Sequence, residues 1–266
     1  MKSTGRFNLF FKKFKRFLPL LQNLTERDIK LKYRRSILGI AWSVLNPLLM
    51  MLVITQVFGL LLKIKVENFP VYYIVGVAMW NFFSDATFMS LNSVIDSAPL
   101  IKKVYIPKYI FPLEKCMFAL INFLFSLIAV VIVMLFQSVV PSWTIILFWV
   151  PILYCFVFAI GVSLILSALS VYFRDLLHLY SVVLTIWMYA TPIIYPVSLV
   201  KGSTLVYNII RCNPMYYYVE YFRSVVMYGI VPDLTWNLIC VTFSVGFFIL
   251  GVFVFNRAQR NFILYI

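Results

Sequence analysis

Residues 24–50 read LTERDIKLKYRRSILGIAWSVLNPLLM. The first half is polar and basic, with Arg27, Lys30, Lys32, Arg34 and Arg35, and from Ser36 onward no charge occurs until Lys63. A basic collar running into an uncharged segment of more than about 20 residues is the pattern of a cytoplasmic flank followed by a membrane-spanning helix. Asn46-Pro47 falls inside that helix. Proline removes a backbone donor and its ring crowds the preceding turn, so a kink is expected there.

The rest of the chain fits this start. It has 266 residues, 63% of them hydrophobic and 12% charged, and a mean hydropathy of +0.96. So much apolar surface implies an all-α membrane protein with several spans. The net charge of +14 does not point to nucleic acid, because 11 of the 23 Lys and Arg residues precede Ser36, beside the first span. That placement matches an anionic leaflet and the positive-inside rule. Cys116, Cys155, Cys212 and Cys240 lie far apart; three read as small apolar residues within the membrane and Cys212 as part of an external segment. The first long apolar run starts too late, and runs too long, for a cleavable signal peptide.

Before the collar, Phe7, Phe10, Phe11, Phe14 and Leu18 recur at helical spacing, with Lys12, Lys13, Lys15 and Arg16 between them. Residues 6–18 are thus expected as an amphipathic helix in the inner interface, ended by Pro19. Thr25 and Asp28 resemble a capping box opening a second short helix. Residues 1–36 form this N-terminal region, 37–256 the transmembrane domain and 257–266 a tail.

Six spans are expected, at about 37–62, 70–95, 113–138, 143–171, 179–198 and 234–255. Lys63, Lys65 and Glu67 make a short outer loop. Residues 97–112 carry prolines and lysines and suit a docking helix or a loop held by prolines on the inner side. Residues 203–229 carry Arg211, Glu220 and Arg223, which makes them poor as a plain span. Two short helices broken at Asn213-Pro214 and dipping in from outside fit better. With six spans both termini share one side. The inner segments then hold 18 Lys and Arg against 5 outside, which places the termini in the cytoplasm.

Chemistry-bearing patterns are few. There is one histidine, no GxxxxGK[ST] phosphate loop and no acidic pair placed to hold a divalent ion, so ATP hydrolysis by this chain and catalysis by a metal are not expected. Asp85 is the one carboxylate expected within a span. It is either a channel or pairing residue, or an acid reaching water or a lysine such as Lys102. Trp42, Trp187, Tyr189, Tyr195, Tyr216, Tyr217 and Tyr221 read either as a membrane aromatic belt or as flat faces along a sugar path.

Five stretches in order, RDIKLKYRRSILGIAWSVLNPLL (27–49), LIKKVYIPKYIFPL (100–113), YFRDLLH (172–178), TPIIYP (191–196) and NPMYYYVEYFR (213–223), resemble the membrane subunit of ABC-2 type exporters. These are the permeases for lipid-linked O-antigen and teichoic acid polymers. The resemblance covers nearly the whole chain. It implies a homodimer in a bacterial cytoplasmic membrane, two copies of a separate ATPase subunit that binds the ATP and Mg, and a polyprenyl-diphosphate-linked glycan as cargo, whose phosphates Arg27, Arg34 and Arg35 would meet at the inner entrance as charge-assisted donors. It further implies that 97–112 is a coupling helix contacting the ATPase through Leu100, Ile101, Lys102, Lys103, Tyr105 and Pro107. The helices of 203–229 would be an outer gate, with Asn46, Pro47, Asp85, Asn213, Pro214 and Arg223 in gating or structural roles. Spans 1, 2 and 5 would line a pore at the dimer seam. Rival readings are a permease for a small lipid or drug, a membrane enzyme of glycan assembly, and a stand-alone channel or proton-coupled carrier. The last two would need a polar catalytic cluster or paired intramembrane charges, and neither pattern is visible.

Overall fold

The computed structural model describes residues 3–34, 36–61, 66–200 and 202–265. Arg35 and the outer-loop lysines Lys63 and Lys65 lie outside the described residues, as do the side chains of Phe7, Phe10, Phe11 and Phe14. Among the described residues the regular structure is helical. Five stretches are long and apolar enough to cross a membrane: Gly39–Phe58, Phe69–Leu91, Ile110–Phe136, Trp143–Ser170 and Leu234–Ala258.

The first helix, α1 (Ser3–Tyr33), differs from expectation. It runs unbroken through Pro19. An interior proline costs a helix about 3 kcal/mol, but here the turns after it are packed. Leu21 and Leu24 are buried against Ile106, Ile110 and Phe111, and that apolar contact holds the helix past its weak point. Thr25 therefore caps nothing. It is buried and its hydroxyl donates to the Leu21 carbonyl at 2.9 Å, inside the helix. Asp28 instead pairs with Lys115.

The first span is α2 (Trp42–Leu61), with Pro47 inside it. It is the least buried of the five. The second, α3 (Phe69–Leu91), is the most buried and forms the centre of the fold. After it come two short helices, α4 (Ser93–Asp96) and α5 (Ala98–Lys103). The expected docking helix at 97–112 is thus a six-residue helix, an extended stretch from Val104, and the start of the next span. Val104 leaves the helix at φ −135° and ψ 138°, and Pro107 disfavours a helical Ile106 before it.

Next are α6 (Ile110–Phe136) and α7 (Trp149–Ser170), the latter preceded by a 3-10 stretch from Trp143. α8 (Leu176–Ala190) is only 15 residues long. The fifth expected span, 179–198, is therefore a short helix followed by an irregular stretch containing Pro192 and Pro196, which cannot donate backbone hydrogen bonds. α9 (Thr204–Arg211), α10 (Pro214–Arg223) and a π turn at Ser224–Tyr228 follow. α11 (Leu234–Ala258) and α12 (Phe262–Tyr265) close the chain.

The helix ends sort into two levels. At the basic end Ser90 bonds to the Pro112 carbonyl at 3.2 Å, Ser170 to the Leu91 carbonyl, and Tyr172 to the Ala258 carbonyl at 2.9 Å. At the opposite end Thr144 bonds to the Val225 carbonyl at 2.8 Å. α7 and α11 cross at glycines: a Cβ on Gly161 would meet the Phe247 carbonyl at 2.5 Å. Small residues allow this backbone approach where lipid supplies no hydrophobic drive between helices.

Candidate functional site

Three regions carry the polar chemistry. The first is the irregular stretch that follows α8, where the fifth span is expected. Buried carbonyls outside regular helix need donors from elsewhere. Here Arg223 supplies them. It is fully buried, and Nη1 donates to the Pro192 carbonyl at 2.7 Å, Nη2 to Ile193 at 3.0 Å and Nε to Tyr72 at 3.2 Å. Its guanidinium carbon sits 3.5 Å from the centre of the Tyr72 ring, a cation–π contact. Glu220, one turn earlier, stands 3.5 Å from Nη1 and balances the charge. The Tyr72 hydroxyl donates to the Tyr195 carbonyl at 3.1 Å. Arginine suits this place because its planar fork presents several donors at once. Gly76 makes room for it: a Cβ there would stand 3.1 Å from Cζ and nearer still to Nη2.

Asn213 fastens the start of α10 to the same stretch. Its Oδ1 caps the helix by accepting from the Met215 backbone at 3.0 Å and also accepts from Trp187 Nε1 at 2.7 Å. Its amide nitrogen donates to Thr191 Oγ1 at 2.8 Å. Pro214 occupies the first helical turn, where no backbone donor is needed. Residues 204–223 thus fold back as a helix pair in which α10 packs on α3, α7 and α11 and Asn213 ties it to α8.

The aromatics divide. Trp187 packs against Phe83 at 5.0 Å and Trp80 at 6.3 Å. Tyr217 and Tyr221 are buried, with hydroxyls bonded to the Arg211 carbonyl at 2.9 Å and to Asn237 at 3.0 Å. These three are internal packing rather than open surface. Trp42 and Tyr189 are exposed, while Tyr195 and Tyr216 are half-buried.

The second region is a polar cavity of about 240 Å³ between α1, α2, α3 and α6. Trp42, Asn46, Pro47 and Asp85 line it, as do Lys32, Tyr33, Asn81 and Asn122. The Tyr33 hydroxyl donates to Asn122 Oδ1 at 2.8 Å and meets Ser43, and Lys32 Nζ donates to the same Oδ1 at 3.3 Å. The arginines singled out from the collar stand elsewhere. Arg27 pairs with Asp28 at 2.8 Å, and Arg34 is exposed in the turn after α1; neither lines the cavity. Lys32, Tyr33, Asn81 and Asn122 are not singled out by sequence reasoning. The available signal was Asn122, an amide in an uncharged apolar run, and the i, i+4 spacing of Asn81 and Asp85.

The third region is the basic-end surface. Leu100 and Ile101 are half-buried and pack on the cluster that contains Leu21, Leu24 and Ile106. Lys102, Lys103 and Tyr105 are exposed, Tyr105 at 93%, and Pro107 is half-buried. The proposed contact set therefore splits into two residues that seat α5, three that face outward and the half-buried Pro107. Lys108 Nζ donates to the Gln259 carbonyl at 2.8 Å and lies 5.4 Å from the Phe262 ring, and burial pushes its ammonium pKa down. Beneath α1, Lys115 bridges Asp28 and Glu114, the latter at 3.1 Å. Burial alone would raise the Asp28 pKa, but hydrogen bonds from Lys115 and Arg27 outweigh it and hold the carboxyl below its ordinary value.

A multi-pass helical protein with a folded-back helix pair at one end and an exposed basic segment at the other has the architecture of a transporter's membrane subunit. Residues 19–228 match the ABC-2 type transporter family, and the chain belongs to it. It is 32% identical over 214 residues to the O-antigen export system permease protein RfbA of Myxococcus xanthus, covering 80% of this chain and 82% of that one. It is 30% identical over 250 residues to a protein of the same name from Klebsiella pneumoniae, covering 91% and 93%.

Proposed function

We propose that this chain is the permease subunit of an ABC exporter that moves lipid-linked polysaccharide of the O-antigen or teichoic acid type across a bacterial cytoplasmic membrane. The observation that carries it is similarity over nine-tenths of the chain to O-antigen export permeases. The chain acts as a homodimer with two copies of an ATPase subunit. It supplies no nucleotide-binding motif of its own, and the partner binds ATP and Mg. The weak burial of α2 supports a second copy beside it. Both termini lie in the cytoplasm, on the side that carries the collar.

Closure of the ATPase pair on ATP pushes on Lys102, Lys103 and Tyr105. Leu100 and Ile101 pass the push to α1 and α6, because a packed apolar contact transmits displacement. The re-entrant pair, held by Asn213 and Arg223, forms the outer gate, and Trp42 and Tyr189 offer flat faces to passing sugar rings.

The test is co-purification with an ATPase subunit, followed by ATP hydrolysis with and without lipid-linked O-antigen in nanodiscs. Stimulation by the lipid-linked glycan is expected, along with its loss in a Lys102→Glu, Lys103→Glu double variant that still assembles. Full export by that variant, or stimulation by a small amphiphile instead of the glycan, would overturn the reading.

A further inference from the structure

We propose that the cavity between α1, α2, α3 and α6 is a subsite for one sugar ring, the ring bonded directly to the lipid diphosphate. The inference rests on the lipid-linked glycan reading and names the part of the cargo that the permease itself recognises.

The chemistry of the walls points to a polyol. Asp85, Asn81 and Asn46 open into the cavity, and among the described residues their side chains make no hydrogen bond. A carboxylate beside carboxamides can accept from neighbouring hydroxyls and donate back, with the carboxylate bonds charge-assisted. The opposite wall is held in place. Lys32 and Tyr33 both donate to Asn122 Oδ1, and the exposed Lys32 ammonium keeps donors beyond that one. Trp42 supplies an exposed flat face at the rim, the surface on which the apolar side of a pyranose stacks.

Other occupants fit less well. A phosphate inside the cavity would meet one cation, Lys32, opposed by Asp85. A metal ion would find one carboxylate, and no group of three His, Cys, Asp or Glu able to hold one occurs among the described residues. An acyl chain would leave the amides unpaired in an apolar setting, at a cost. At about 240 Å³ the space lies below the roughly 300–1,000 Å³ of sites for drug-sized ligands, which matches one ring rather than a run of them.

Position selects which ring. Asp85 lies six residues before Leu91, the basic-end terminus of α3, or about 9 Å along the helix. A diphosphate lying at that interface, beside Lys32 and Arg34, brings its first sugar to this depth. Recognition here is independent of polymer length, because it reads the end fixed to the lipid.

The test uses the assembled transporter in nanodiscs and two probes: a polyprenyl diphosphate bearing one hexose, and the same lipid without the sugar. The wild type is expected to bind the sugar-bearing lipid about tenfold or more tightly, the effect of one good polar contact. Asp85→Asn and Asn81→Ala should erase that difference while leaving the sugar-free lipid unchanged. Trp42→Ala, on a separate helix and exposed, should shrink the same difference even if an α3 variant does not fold. Equal binding of the two lipids by the wild type, or variants that weaken both alike, would overturn the subsite alone. Failure of the wild type to bind either lipid would overturn the export reading with it.

Discussion

The guanidinium of Arg223 fills the space that a side chain on Gly76 would take. One residue lies in the central span and the other at the end of the folded-back helix pair, 147 positions later in the chain. Their fit joins the first turns of α3 to the irregular stretch after α8, because the same arginine bonds to the Tyr72, Pro192 and Ile193 carbonyls.

Gly76→Ala should therefore destabilise the protein by about 1–3 kcal/mol, the usual cost of forcing volume into a packed site. The measurement is thermal unfolding in detergent. Arg223→Ala alongside it should be at least as damaging, since it takes the donor from the buried Ile193 carbonyl, at about 1–3 kcal/mol for a group left unsatisfied, and leaves Pro192 with the Tyr72 hydroxyl alone. Arg223→Lys should rescue little, because an ammonium cannot present the planar fork. A wild-type melting profile for Gly76→Ala would show that the arginine has room to move aside.

Seating and coupling should separate in the basic-end segment. Tyr105→Ala removes an exposed ring and should change stability by less than about 0.5 kcal/mol. It should nevertheless lower glycan-stimulated ATP hydrolysis if that ring touches the ATPase. Leu100→Asp places a charge against the apolar cluster under α1 and should loosen α1 itself, seen as faster proteolysis of the N-terminal region. Equal proteolysis of both variants would contradict the division.

The anchor of α1 should be acid-sensitive. Asp28 titrates below its ordinary value in the folded protein. Its contribution is therefore present above the unfolded-state pKa of about 4 and is lost as pH falls through the lower folded value. Hydrogen exchange in α1, after correction for intrinsic rates, should rise on acidification below about pH 4. Asp28→Asn should show the raised exchange already at neutral pH. A wild-type α1 that loosens between pH 7 and 5 would point to a different group.

Gly161→Leu should force apart the α7–α11 crossing, where even a Cβ would meet the Phe247 backbone. A loss of several kcal/mol is expected, because backbone cannot move aside as a side-chain tip can. Gly246→Leu, with nothing within 4 Å of its Cβ position, is the matched control and should melt near the wild type.

Much of this protein follows from local pattern. The uncharged runs after Ser36 and from Cys116 to Phe173 require spans, since apolar length is a local property and lipid accepts only backbone that bonds to itself. The helix break at Asn213-Pro214 is equally local, because an asparagine cap and an N-terminal proline act within one turn. Pro19 shows the limit of that reasoning: the rule that it ends a helix is sound, yet Leu21 and Leu24 find partners some eighty residues away that hold the helix together. The polar sites follow the same logic. Arg27 and Arg34 were visible as candidates and Lys32 was not, because only the packing of α1 on α6 turns Lys32 toward Asn122, while Arg27 pairs with its neighbour Asp28. Arg223 could be read as a charge that spoils a plain span. That it bonds to carbonyls after α8 and within α3 depends on contacts 30 to 151 residues distant in sequence. The sequence determines where the long apolar helices lie and where charge gathers along the chain, because hydropathy and charge act over short stretches. Which buried polar groups meet is decided only by the packed structure, since each needs a partner that only the fold brings near.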